Sequence, residues 1–198
     1  MSRLNSFLKA VSYKLRYGES LQWDAAFRCK KVADINILSG KLQIGKGFGM
    51  NPGSYIAVAN KGIVSIGNNV SINRNTMIIC HDSIEIGDHC SIGPNVMIYD
   101  HDHNFGANGL EKGYKTAPVS IGNNCWIGGG VTILRGSTIG EGSVIGAGTI
   151  IKGEIPPHSL VTSAREVVIR TLCDKSILCS EQPEIRDGIV SEDNMMVQ

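Results

Sequence analysis

The chain has 198 residues with 19 basic and 18 acidic side chains, and its 24 glycines make up about 12% against a usual ~7%. A net charge of +1 gives no electrostatic reason to expect nucleic acid binding. Apolar residues at 42% suffice for a core, which excludes global disorder, and the glycines do not recur at every third position, which excludes collagen. The glycine excess therefore needs another explanation.

Residues 1–35 carry apolar side chains at roughly helical spacing, and we expect them to form a helical cap on the segment that follows. The first ten residues contain no apolar run of signal-peptide length, and no stretch of the chain reaches the ~18 apolar residues of a membrane span. The six cysteines show no zinc-ligand spacing. These features predict a cytoplasmic protein with reduced thiols and no transmembrane segment.

Aliphatic residues then recur at every sixth position, in three runs of isoleucine that begin at Ile66, Ile86 and Ile121. Neither the helical nor the strand period produces this spacing, and hexapeptide repeats are typical of a parallel β-helix. In that fold each hexapeptide forms one side of a triangular coil, with the isoleucine inside and glycine or asparagine at the corners. Cys90 and Cys125 fall on the small inward position four residues after the isoleucine, so we interpret both as buried core residues.

Two interruptions of the repeat indicate insertions at corners of the coil. Ile78 and Ile86 are eight residues apart, whereas Ile98 and Ile121 are twenty-three apart. The longer gap is either a full coil of eighteen residues with five extra, or one side of six with seventeen extra. Both interpretations place an excursion within residues 99–117, the most polar part of the repeat region. Long insertions on a rigid scaffold often carry functional residues.

The predicted fold class is therefore an all-β solenoid with a short helical N-terminal segment. The β-helix is expected to occupy residues 36–160, with its repeat ending after a Pro-Pro pair at 156–157. Residues 161–198 are expected to form a closing segment and a flexible C-terminal tail, because most of this stretch is polar and has no periodicity.

Residues 62–157 resemble the hexapeptide-repeat acyltransferases, and within them the galactoside, maltose and O-antigen or capsular sugar O-acetyltransferases. The resemblance is strongest over 118–157, which contains the Trp-Ile-Gly coil, the Gly-Ala-Gly turn and the closing Ile-Pro-Pro of these enzymes. It implies a left-handed parallel β-helix, acetyl-CoA as acyl donor, no metal, and a homotrimer with active sites between subunits.

The excursion begins with the sequence Asp-His-Asp-His-Asn at residues 100–104. Acyl transfer to a hydroxyl needs a base, and histidine suits this role because its pKa lies near neutrality. The resemblance places the catalytic histidine at His101. His103 is the alternative candidate, because this chain has two residues fewer than the sugar acetyltransferases ahead of the Pro-x-x-Ile-Gly coil. Either Asp100 or Asp102 could orient the catalytic ring.

Further roles follow from the resemblance, position by position. Asn73 matches an asparagine that contacts the acceptor sugar, and Asp82, displaced by one position, stands for part of an acidic pair. His103 is placed beside the acceptor. Lys152 precedes the usual CoA-phosphate lysine by one position, and the usual ending of the motif is missing. The expected donor-binding residues are Trp126, Gly129, Ala147, Lys152 and Arg170.

Three other functions remain open. The acceptor could be small and not a sugar, such as serine or an antibiotic. A carbonic-anhydrase-like, metal-dependent enzyme of the same fold would use histidines as zinc ligands, and the chain could also be a non-catalytic scaffold. The favoured hypothesis is an O-acetyltransferase acting on a surface polysaccharide or its precursor. The histidines available to the metal-dependent alternative are His81, His89, His101 and His103.

Overall fold

A computed structural model of the protein describes residues 3–23, 28–29 and 33–163. These residues form one α-helix, α1 (Arg3–Tyr17), a 3-10 helix (Gly18–Ser20), three parallel sheets and one antiparallel hairpin. In the described part of the chain, no helix has both the length and the apolar character needed to cross a membrane. The expected C-terminal tail and Arg170 lie outside the described residues.

The three sheets form the three faces of a coil, which we name face A, face B and face C. Face A contains β1 (Leu21–Trp23), β4 (Gly40–Ile44), β7 (Gly62–Ile66), β10 (Ser83–Ile86), β15 (Val119–Ile121), β18 (Thr138–Ile139) and β21 (Glu154–Ile155). Face B contains β2 (Arg28–Cys29), β5 (Gly49–Met50), β8 (Ser71–Ile72), β11 (Ser91–Ile92), β16 (Trp126–Ile127), β19 (Val144–Ile145) and β22 (Leu160–Val161). Face C contains β3 (Asp34–Ile37), β6 (Tyr55–Val58), β9 (Met77–Cys80), β12 (Met97–Tyr99), β17 (Thr132–Ile133) and β20 (Ile150–Ile151).

Every strand of the three faces pairs in parallel with the strand one coil away, and the repeated isoleucines are in register. Ile86, for example, lies between Ile66 of the preceding coil and Ile121 of the next. The predicted parallel β-helix is therefore confirmed. The chain passes from face A to B, then to C and back to A, which defines three edges that we call the A–B, B–C and C–A corners.

The core is a stack of aliphatic side chains along the axis of the coil. Cys90 and Cys125 are 0% and 2% exposed, as expected for the small inward position. Residues with positive φ turn the A–B corner, among them Asn69 and Asn124 at 55° and 57° and Gly142 at 67°. Asparagine and glycine tolerate this backbone conformation, which explains where much of the glycine excess lies.

The N-terminal cap is shorter than the helix expected over residues 1–35. Gly18, at a φ of 54°, follows the end of α1, and Leu21 already lies in the first strand of face A. Leu21 is fully buried opposite Leu42, because it takes the inward position of a coil. The helical spacing of this stretch was therefore misleading beyond the first 17 residues. Helix α1 is fastened to the first coil by the Tyr13 hydroxyl, which donates to Asp34 Oδ1 at 2.7 Å.

The excursion is an antiparallel hairpin. Strands β12 and β15 lie on adjacent faces, so the gap consists of one side of the coil with seventeen extra residues. These residues form β13 (His101–Gly106) and β14 (Gly109–Thr116), which leave the C–A corner and are largely exposed to solvent. The hairpin begins at the histidine-rich motif and returns to the coil at Ala117, whose N–H donates to the Asp100 carbonyl at 2.9 Å.

Two isoleucines on neighbouring strands test the stacked core. Ile84 of β10 is fully buried, whereas Ile63 of β7 is 45% exposed. We expect Ile84→Ala to lower the free energy of unfolding by about 2–5 kcal/mol, because the cavity it leaves cannot collapse in a stack of coils. Ile63→Ala is the matched control and should cost less than about 1 kcal/mol. Chemical denaturation measures both, and equal losses would contradict the assignment of inward and outward positions.

Candidate active site

Two consecutive coils bring the candidate catalytic residues together at the C–A corner. His81 and Asp82 form a two-residue corner, and Asp100 enters the equivalent corner one coil later. The Asp100 carboxylate is fully buried and accepts the backbone N–H of His81 at 2.9 Å and that of Asp82 at 2.7 Å. The two residues inserted between Ile78 and Ile86 thus supply backbone hydrogen-bond donors to the buried carboxylate.

The same carboxylate contacts the ring of His101. Asp100 Oδ1 lies 3.0 Å from His101 Nδ1. A carboxylate can only accept, so Nδ1 carries the proton and the lone pair of the neutral ring is on Nε2. The His101 side chain is 12% exposed, so it is largely desolvated. An oriented imidazole with a free Nε2 is the arrangement that general-base catalysis requires.

Asp102 has a different partner. Its Oδ2 accepts a hydrogen bond from Arg135 Nε at 2.5 Å, and its side chain is 44% exposed. Asp100 is therefore the aspartate that contacts the His101 ring, whereas Asp102 links the base of the hairpin to the following coil. Arg135 was not a candidate in the sequence, because only the register of the coils brings it to a residue 33 positions earlier.

Aromatic rings surround His101. The rings of His81 and His101 are nearly parallel, with centroids 3.9 Å apart and planes at 9°. Tyr114 of the hairpin meets both edge-on, at 4.2 Å from His81 and 5.2 Å from His101. His103 lies on the same tyrosine, with ring centroids 4.9 Å apart. In the sequence, His81 stood out only as part of the segment that replaces the expected acidic pair and as a possible zinc ligand. Its stacking on His101 was not predicted.

Burial and neighbouring charge affect the groups next to this cluster. Burial lowers the pKa of His81 below its usual value of 6.5, and the positive charges that His101 and His103 can carry lower it further, while Asp100 opposes the shift. The Nδ1 atom of His81 is buried without a hydrogen-bond partner among the described residues. Burial also raises the pKa of the Cys80 thiol, and the charge of Asp100 raises it further, so Cys80 stays protonated at neutral pH.

The other candidate residues divide between two sides of the coil. Asp82 lies at the C–A corner with His101, and Lys152 occupies the same corner two coils later. Face B lies across the triangular section from this corner and carries Trp126, which is 60% exposed. One copy of the chain therefore does not bring the two groups together. The residues at the B–C corner, far from His101, are Asn73, Gly129 and Ala147.

Within residues 3–23, 28–29 and 33–163, no group of three or more His, Cys, Asp or Glu side chains is arranged to hold a metal ion. His81 and His101 instead make ring and carboxylate contacts with each other, with Tyr114 and with Asp100.

Comparison with known proteins supports the architecture. Residues 118–153 match the family model "bacterial transferase hexapeptide (six repeats)". No curated protein matches the chain. Among solved structures, one of AntD, an N-acyltransferase from Bacillus cereus in complex with dTDP-4-amino-4,6-dideoxyglucose and coenzyme A, is 20% identical with a TM-score of 0.66. The match covers 82% of this chain and 90% of that one, and it shows a shared fold.

Two further solved structures are similar to the chain. A hexapeptide-repeat acetyltransferase from Vibrio cholerae, complexed with acetyl coenzyme A, is 24% identical over 84% of this chain and 79% of its own, with a TM-score of 0.49. A galactoside acetyltransferase in complex with coenzyme A is 26% identical over 80% of this chain and 68% of its own, also with a TM-score of 0.49. Hexapeptide repeats imply the left-handed form of the parallel β-helix. Residues 118–153 of the chain are thus similar to the hexapeptide repeats of bacterial transferases.

Proposed function

We propose that the protein is a CoA-dependent O-acetyltransferase that acetylates a hydroxyl of a sugar, with His101 as the general base. The observation that carries this proposal is the hydrogen bond between His101 Nδ1 and the buried Asp100 carboxylate, which leaves Nε2 free. This pair of residues lies on a β-helix whose repeats match those of bacterial transferases. The solved structures that share this fold include an acyltransferase bound to coenzyme A.

In the first step, His101 Nε2 accepts the proton of the acceptor hydroxyl as the oxygen attacks the carbonyl carbon of the acetyl thioester. The ring becomes an imidazolium, and the Asp100 carboxylate stabilises its charge through the 3.0 Å contact. The carbonyl oxygen gains the negative charge, which backbone N–H groups stabilise. The hydrogen bonds from His81 and Asp82 hold Asp100 in place throughout, so little reorganisation accompanies the charge transfer.

In the second step, the tetrahedral intermediate collapses and the carbon–sulfur bond breaks. The departing CoA thiolate takes the proton from His101 Nε2, so the imidazole returns to its neutral form. The products are the acetylated sugar and free CoA. No acyl-enzyme forms in this scheme, which agrees with the burial of Cys80, the cysteine nearest in sequence to the cluster.

We further propose that the site lies between subunits of a homotrimer. Trp126, Gly129 and Ala147 of one copy would line the pantetheine arm, with Lys152 and Arg170 toward the nucleotide phosphates. Trp126 lies on face B, Gly129 and Ala147 lie at the B–C corner, and Arg170 is outside the described residues. Lys152 shares the C–A corner with His101. A second copy is the simplest way to bring a donor bound along face B to His101.

Exposed apolar side chains support this association. Phe105 and Leu110 pair across the hairpin and are 69% and 74% exposed. On face B, Trp126 and Leu160 are 60% and 74% exposed. Adjacent exposed apolar side chains that form a contiguous patch often mark a surface where a partner or ligand binds. The hairpin of one copy would therefore pack near the donor-binding face of the next.

For the acceptor, we propose a nucleotide-linked, lipid-linked or oligosaccharide precursor of a surface polysaccharide. Asp82 and His103 stand beside His101 at the C–A corner and offer hydrogen-bonding groups for sugar hydroxyls. Asn73 would contact the same sugar from the B–C corner of the neighbouring copy. The complex of AntD with a dTDP-linked sugar supports a nucleotide-linked acceptor. Both acetyl-CoA and such acceptors would be met in the cytoplasm.

His101→Ala tests the proposed function. With an acceptor identified by screening for release of free CoA thiol, we expect turnover to fall on the order of 10²–10⁴-fold, because the base is lost and the fold is kept. His89→Asn is the matched control, since it removes a histidine from the A–B corner, where the equivalent Asn69 and Asn124 have the same positive φ. Unchanged turnover in His101→Ala would exclude His101 as the base.

Asp100 and Asp102 offer a comparison of a buried with an exposed carboxylate. Asp100→Ala should lower the free energy of unfolding by about 2–4 kcal/mol, because two backbone N–H groups lose their acceptor. Asp102→Ala should cost less than about 1 kcal/mol, since solvent screens its contact with Arg135. Chemical denaturation gives both values, and turnover should fall more in Asp100→Ala. The reverse order in either measurement would contradict the role of Asp100.

A further inference from the structure

His81 has no part in the proton transfer described above, yet it makes the closest ring contact of His101. The two imidazoles stack at 3.9 Å with planes at 9°, and Tyr114 closes on both from the hairpin. The β-helix itself does not require this pair, because His81 belongs to the two residues inserted between Ile78 and Ile86. Its position on the base therefore needs a separate explanation.

The surroundings of His81 favour its neutral ring. Its Nδ1 atom is buried and has no hydrogen-bond partner among the described residues. A neutral imidazole tolerates this if the proton is on Nε2, whereas an imidazolium would bury an N–H without an acceptor. A charged His81 would also lie directly against His101 when that ring takes up a proton. Two stacked rings at this distance accommodate one positive charge far better than two.

We propose that His81 is a positioning residue for the base: its neutral ring holds the plane of the His101 ring and stabilises, through its π-face, the imidazolium that forms during transfer. This inference rests on the proposed function. A cation over an aromatic face is stabilised by the ring quadrupole, most strongly where water is excluded. Asp100 and His81 then act on different parts of His101, the carboxylate at Nδ1 and the ring on its face.

Other groups around His81 do not change its neutral state at neutral pH. From the following coil it faces the Asp100 carboxylate, and from the hairpin it faces His101, His103 and Tyr114. Its chain neighbours are the Cys80 thiol and the Asp82 carboxylate, and the preceding coil contributes corner residues 59–61, which include a lysine. Because burial and the positive charge that His101 can carry lower the pKa of His81, its ring gains a proton only under more acidic conditions than an ordinary imidazole requires.

Two substitutions separate the ring from its hydrogen-bonding atoms. His81→Phe keeps a neutral aromatic face against His101, so turnover at neutral pH should stay within about threefold of the original protein. His81→Leu keeps an apolar side chain without the π-face, and kcat should fall about tenfold with little change in KM for acetyl-CoA. His89→Asn, on the opposite corner, should change neither constant. Thermal unfolding confirms that each variant is folded.

The split between kcat and KM is a readout that a purely structural role would not produce. A Phe variant as slow as the Leu variant, or a Leu variant that loses affinity for acetyl-CoA while its kcat is kept, would overturn the proposal.

A measurement without turnover separates this proposal from the proposed function. Side-chain ¹⁵N NMR at pH 7 should show His81 as a neutral ring protonated on Nε2 and His101 with a proton on Nδ1. The His101 tautomer should persist in His81→Phe. A charged His81, or one protonated on Nδ1, overturns the positioning role whether or not the protein transfers acetyl groups. Full turnover in His101→Ala would instead overturn the proposed function and leave this spectrum unchanged.

Discussion

The buried carboxylate of Asp100 is the interaction on which the candidate active site depends. A buried charge is tolerated only when its hydrogen bonds are satisfied, and here the corner of the preceding coil supplies two backbone N–H groups and His101 supplies a third donor. The two-residue insertion and the hairpin therefore form one unit, although they belong to two consecutive coils. The coil positions the carboxylate, the carboxylate orients His101, and His81 and Tyr114 enclose the ring.

The stacked coils also determine what one copy of the chain cannot do. A triangular coil gives every residue a fixed face, so a side chain on face B and one at the C–A corner never approach within the same copy. Trp126 and His101 belong to these two sides. If Trp126 binds the donor and His101 is the base, as proposed, the fixed faces of the repeat require a second copy. The exposed apolar residues of the hairpin agree with such an assembly.

Much of this architecture was readable from the sequence, because a six-residue repeat has one physical interpretation. The inward isoleucines, the small cysteines Cys90 and Cys125, and the insertions after Ile78 and Ile98 all lie where the spacing predicted. The side-chain contacts within the site could not be predicted from the sequence. Which aspartate contacts His101, the Arg135–Asp102 pair and the His81 stack depend on the register between coils and on ring orientation, which the spacing does not contain. The helical spacing after Tyr17 failed because Leu21 was already the inward residue of a strand.

The most direct test of a site shared between copies is complementation between two inactive variants. One variant is His101→Ala, and the other is Ala147→Trp, which blocks the donor side at an exposed position. When equal amounts are denatured together and reassembled, roughly a quarter of the sites should combine an intact His101 with an intact donor side from a neighbour. Recovery of about that fraction of the original turnover is the predicted result. Mixed assemblies no more active than either variant alone would show that one copy supplies the whole site.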